Sequence, residues 1–201
     1  MKKERTAFIL NILAFIAGMT GMTLRLIRGA DDFFIYYTQL SNVVSALSSA
    51  IYTIVYIKKE KPGIKLTMLR YLAACMMFFT FIVVMCIFVP FGGNVETLVI
   101  LPHGLCQHII APVLSVVSFA FFEQKPQKRS SLLLPTGVTL IYACIMYALN
   151  FMLLVEGPYP FFEVYSYSAP RLIVWFIELV LIDAAIGIAL TPRNWIRKKK
   201  E

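Results

Sequence analysis

Residues 66–90 read LTMLRYLAACMMFFTFIVVMCIFVP, an apolar run with one charge, Arg70, near its start and a proline at its end. A hydrocarbon core about 30 Å thick takes roughly 20 such residues as an α-helix. No water is available there to satisfy backbone groups, so the segment must close its hydrogen bonds within itself. Working outward, Thr6 to Ile27, Phe33 to Ile57, Thr97 to Phe122, Ser131 to Val155 and Leu172 to Leu190 have the same character. The chain of 201 residues is 59% hydrophobic and 15% charged, which excludes a water-soluble domain. Closed barrels would show alternating strands of about ten residues, and none is evident. The expected fold is an all-α membrane protein: one domain over 1–201, a six-transmembrane-helix antiparallel bundle whose short loops make successive helices neighbours.

Lys2, Lys3 and Arg5 precede the first apolar run, as in a secretory signal. The run is longer than a signal core and no small-x-small site precedes Arg25, so it is expected to stay as a helix. The net charge of +8 is a topology signal rather than a nucleic-acid footprint, because of where the charges fall. Of the 19 Lys and Arg, three precede span one, and Lys58, Lys59, Lys61 and Lys65 belong to the second loop, with Arg70 just beyond it. Lys125, Lys128 and Arg129 lie in the fourth loop, and Arg193, Arg197 and Lys198 to Lys200 in the tail. The other loops hold only Arg25, Arg28 and Arg171. Under the positive-inside rule both termini are expected on the cytoplasmic side of the cell membrane.

Cys75, Cys86, Cys106 and Cys144 all fall in apolar spans, where cysteine packs as a small hydrophobe, so no disulfide framework is expected. His103 and His108 are the two histidines; five positions apart on one helix they point apart, so neither a metal site nor a cofactor is expected. The connection Glu156 to Pro170, rich in Tyr, Phe and Pro, suits an aromatic belt at the interface, with a lid over a pocket as the alternative.

Polar groups inside apolar spans normally face the bundle interior or a cavity. Thr38, Ser41, Asn42, Ser45, Ser48, Ser49 and Tyr52 recur at spacings of three and four and form one stripe of the second span. Gly104, His108, Ala111, Ser115 and Ser118 form another in the fourth, with Gln107 beside it. Such serines favour close helix packing. A mid-membrane histidine instead points to a site, since a neutral imidazole accepts the proton that a weak hydroxyl nucleophile must lose. Thr38 is the candidate hydroxyl. With a rise of about 1.5 Å per residue, Thr38 lies about 7 Å below the start of its span, His103 about 9 Å and His108 about 16 Å below theirs. Depth alone therefore favours His103 as partner, and both histidines stay open. Glu178 is expected to pair with a histidine or another polar group, or to orient an imidazole as an acid does in a hydrolase triad. Asp183 is expected to meet interfacial basic residues.

The segment Phe34-Ile-Tyr-Tyr-Thr-Gln-Leu-Ser-Asn42, with His108-Ile-Ile-Ala-Pro112 and Tyr159-Pro-Phe-Phe-Glu163, resembles the androgen-induced, androgen-dependent family of membrane-embedded threonine hydrolases, in its bacterial branch. The resemblance implies a multi-helix enzyme that splits lipid esters, notably fatty acid esters of hydroxy fatty acids. It implies Thr38 as nucleophile and His108 as base. Gln39, Asn42, Gln107, His103 and Glu178 are candidate substrate or oxyanion contacts. The expected partners are a lipid or fatty acid ester and the bilayer, with no nucleic acid. The competing reading is a small transporter or channel using His108, Glu178 and Asp183.

Overall fold

Ala7, Asn11, Ala14, Gly18 and Gly21 fall three and four residues apart, a stripe of small side chains that lets neighbouring backbones come close. In the computed structural model, which describes residues 2–29, 32–123 and 129–191, this stripe is the buried face of α1 (Lys2–Ile27). A β-carbon at Gly21 would come within 2.5 Å of Gln107, so the glycine is required by the approach of the fourth helix.

Among the described residues there is no strand, and six helices are long and apolar enough to cross a membrane. After α1 come α2 (Tyr37–Ile57), α3 (Ile64–Phe88), α4 (Pro102–Phe122), α5 (Leu133–Phe151) and α6 (Ala169–Ala189). The last six residues of α3 and residues Cys106–Ile110 of α4 are wound as π-helix. α1 packs on α2 and α4, and α3 on α2 and α4; α5 and α6 form a pair that leans on α3. The main apolar core lies where that pair meets α3, around Tyr71, Phe79, Phe119, Tyr142, Met146 and Phe162.

Spans two and five are shorter than expected, α2 starting at Tyr37 and α5 ending at Phe151, and span four differs in its make-up. Thr97–Ile100 is not part of α4: Glu96–Ile100 forms a separate π-helical turn, here called the strap, and the chain becomes extended at Leu101. Pro102 explains the break, since it disfavours helical backbone in the residue before it and has no N–H to continue the ladder. Asp183 also departs from expectation. It is fully buried beside Thr136 and Thr139 of α5, and no basic partner is found among the described residues. The interfacial basic residues at 125, 128 and 193–200 lie outside the described residues. Of the cysteines, Cys75 packs in the core while Cys86 and Cys144 sit on the bundle's outer surface.

The serine stripe does the packing work its residue types imply. Ser41 bonds Thr80 of α3 at 3.0 Å, and Ser45 bonds Ser115 of α4 at 3.3 Å. Toward the end of the bundle that carries the amino terminus, Arg70 of α3 meets Glu123, just past α4, at 2.9 Å. Both side chains are almost wholly buried. Ser48 and Ser49 accept from Arg70, and Ser118 and Asn11 donate to Glu123, so four helices share one polar clasp. The guanidinium, with the Ser118 and Asn11 bonds, outweighs burial and holds the Glu123 carboxyl below its usual range.

Candidate active site

The start of α2 is fixed from α5. The Tyr142 hydroxyl donates to the Ile35 carbonyl at 2.7 Å and accepts the Tyr37 N–H at 3.1 Å. Tyr37 in turn shares a 2.9 Å hydrogen bond with Thr139. Thr38 is therefore the second residue of its helix, held in the first turn, and not about 7 Å along it as a longer span would place it. The same turn is tied to α4. Gln39 and Gln107 exchange amide hydrogen bonds of 3.1 and 2.7 Å, and Asn42 Nδ2 donates to the carbonyls of Thr38 and Gln107 at 2.8 and 3.3 Å.

These ties place Thr38, Gln39, His103, Gln107, His108 and Glu178 on the wall of one cavity of about 860 Å³. Asn42 does not line it; its amide nitrogen is spent holding α2 against α4, so the expected role as an oxyanion donor is replaced by a scaffolding one. Each glutamine still has a second amide hydrogen to offer. Glu178 is exposed and bonds neither histidine, so the expected orienting acid is missing from that place. A backbone group stands there instead: Nδ1 of His108 lies 2.7 Å from the Leu98 carbonyl oxygen of the strap. A carbonyl only accepts, so Nδ1 carries the proton, and in the neutral ring Nε2 keeps the free lone pair. His103 is buried in the same wall, with its Nδ1 unpartnered. No hydrogen bond joins Thr38 to either histidine among the described residues, although both face its cavity.

Thr38 also lines a second, narrow apolar crevice between α2, α3, α5 and α6, walled by Phe79, Val83, Ala143, Phe162 and Phe176. The hydroxyl thus stands where a wide polar space meets an apolar slot. Tyr159 borders both spaces as well, in polar contact with the side chain and backbone of Thr38. Burial pushes its hydroxyl up to about 12, so it is a neutral donor at working pH. Its loop is a cover rather than a rim: Phe161 and Phe162 plug into the core, and Tyr159 clusters with Phe88 and Phe161 at ring distances of 5.5 and 5.1 Å.

Sequence reasoning missed several of these groups. Leu98 acts through its backbone and carries no side-chain signal. Tyr159 stood inside a recognised motif but read as one ring in an aromatic run. Arg25 and Arg171 read as exceptions to the charge bias, yet both line the cavity. Arg25 is held by Asp32 at 3.4 Å and faces the Tyr36 ring at 5.8 Å; Arg171 lies 4.8 Å from the Trp175 ring and 5.0 Å from Tyr167. Burial and then the Asp32 charge raise the Tyr36 hydroxyl above its ordinary range.

Among the described residues no cluster of His, Cys, Asp and Glu could hold a metal ion. Comparison with known protein families, characterised proteins and solved structures returns no match to this chain.

Proposed function

We propose that this protein is an intramembrane hydrolase of amphiphilic lipid esters, such as fatty acid esters of hydroxy fatty acids, with Thr38 as nucleophile and His108 as base. The observation that carries the reading is the position of Thr38 at the junction of a polar cavity and an apolar crevice, on a wall shared with an imidazole whose Nδ1 is engaged by the Leu98 carbonyl. An ester is itself such a junction, with a polar carboxyl centre and a hydrocarbon arm. The cavity volume falls within the roughly 300–1,000 Å³ typical of small-molecule sites. The acyl chain enters the crevice, and the alcohol half occupies the cavity, where Arg25 and Arg171 meet any anionic group it bears.

Nε2 of His108 takes the Thr38 hydroxyl proton as Oγ1 attacks the ester carbonyl carbon. The oxyanion accepts hydrogen bonds from Tyr159 and from the spare amide hydrogens of Gln39 or Gln107. Collapse breaks the bond to the alcohol oxygen, which leaves with the proton from His108. Water then gives a proton to His108 and attacks the acyl carbon, and Thr38 recovers its hydrogen as the carboxylic acid departs. The absence of a hydrogen bond between Thr38 and His108 without ligand is compatible with this sequence, since catalytic contacts often close only around substrate. By the charge bias the cavity opens to the outer side of the membrane, with the termini cytoplasmic. Transport would require the cavity to continue toward Asp183, which does not line it.

The test is hydrolysis of a fatty acid ester of a hydroxy fatty acid by purified protein in nanodiscs. Turnover is expected from the native chain and is expected to vanish in Thr38→Ala and His108→Ala, whereas His103→Ala retains it. Equal turnover by native protein and Thr38→Ala would rule the reading out.

A further inference from the structure

Building on the assignment of His108 as base, we propose that the strap Glu96–Ile100 is the third member of the catalytic group: the Leu98 carbonyl fixes the imidazole, and Pro102 and Gly104 are positioning residues that make this possible. A hydroxyl–imidazole pair needs an acceptor on the ring nitrogen that faces away from the hydroxyl, so that the other nitrogen is free to take the proton. Carboxylates usually supply it, but no carboxylate bonds His108 among the described residues; its Nδ1 bonds Leu98 at 2.7 Å.

Two residues account for that carbonyl being both unclaimed and near. In a continuous α-helix the Leu98 oxygen would accept from the N–H four residues on, and that residue is Pro102, which has none. The strap is closed on either side of it instead, by Leu98 N–H to Asn94 and Leu101 N–H to Glu96 at 2.9 and 2.8 Å. Asn94 caps the turn through Oδ1, which accepts from the Thr97 N–H at 3.0 Å. Gly104 then provides the space. A β-carbon there would overlap the Thr97 carbonyl oxygen and come within 2.8 Å of the carbonyl carbon and oxygen of Leu98. The obstacle is backbone, which cannot rotate away as a side chain would. Any larger residue must push the strap off α4 and its carbonyl away from His108.

The experiment reads the tautomer directly. The chain has two histidines, so ring ¹⁵N resonances of histidine-labelled protein in nanodiscs are assigned with one His103→Gln variant. Native His108 is expected to be protonated on Nδ1 alone. Gly104→Ala and Pro102→Ala are each expected to give a mixture of tautomers and to lower kcat on the order of 10²-fold with a smaller change in KM, the scale of a misplaced catalytic group. Gly137→Ala, whose added carbon meets open space, is expected to change neither. Pro102→Ala adds no bulk, so it decides the matter should Gly104→Ala fail to fold. Native His108 protonated on Nε2, or both variants keeping a pure Nδ1–H form, would overturn the strap's role. A pure Nδ1–H form in native protein that hydrolyses no ester would count against the hydrolase reading instead.

Discussion

Thr38 owes its place to neighbours rather than to its own bonds: Tyr142 pins the turn before it, Asn42 accounts for its carbonyl, and Tyr159 covers its hydroxyl. Under the proposed chemistry Tyr159 is a donor to the developing oxyanion. Tyr159→Phe keeps the ring stacking and removes the donor, so kcat is expected to fall on the order of 10²–10³-fold with KM little changed. Steady-state kinetics on one ester would measure this, and an unchanged kcat would remove Tyr159 from the reaction. At this scale the sequence exposes what is anomalous by type. A histidine in an apolar span and a threonine heading a polar stripe are conspicuous from residue type and spacing alone. Asn42 is equally conspicuous, yet it scaffolds, because residue type does not reveal which partner an amide finds. The Leu98 carbonyl has no identity in sequence at all; Pro102 four residues on is its only trace.

The six helices are legible as elements because bilayer thickness sets their length and hydropathy their limits. The strap is not, since its residues are as apolar as those of the helix that follows, and only the proline marks the break. Inter-helix polar bonds are also hidden: Arg70 reads as one more interfacial cation, and nothing in the sequence pairs it with Glu123. Removing one member of a buried ion pair leaves the other uncompensated, so Arg70→Ala is expected to destabilise the bundle by about 3–5 kcal/mol. Arg70→Met combined with Glu123→Leu is expected to lie much nearer the native value, because it removes both charges together. Thermal unfolding in detergent measures the pair. Glu123 also sets a pH dependence. Its carboxyl is held low in the folded state, so its contribution is complete above the ordinary carboxylate range and is lost as pH falls through the depressed value. Stability of the native protein is therefore expected to decline in acid, and Glu123→Gln to flatten that slope at a lower overall level.

For the whole molecule, the charge distribution and the cavity make one prediction. Sixteen of 19 basic residues fall in or just beyond the set of loops that includes both termini, and the cavity is lined from the opposite end by Arg25, Phe91, Thr97, Tyr159 and Arg171. A cysteine introduced at Asn94 in a background free of native cysteines is expected to react with a membrane-impermeant maleimide added outside intact cells. Reaction only after the cytoplasm is exposed would invert the topology and turn the cavity inward. The central claim is that Thr38 is a nucleophile activated by His108, and covalent capture tests it most directly. Protein in nanodiscs is treated with a lipid-tailed fluorophosphonate and digested, and the modified residue is located by tandem mass spectrometry. The account predicts one adduct, on Thr38, absent from Thr38→Ala and formed far more slowly by His108→Ala. An unmodified Thr38, or an adduct that forms at the native rate without His108, would contradict it.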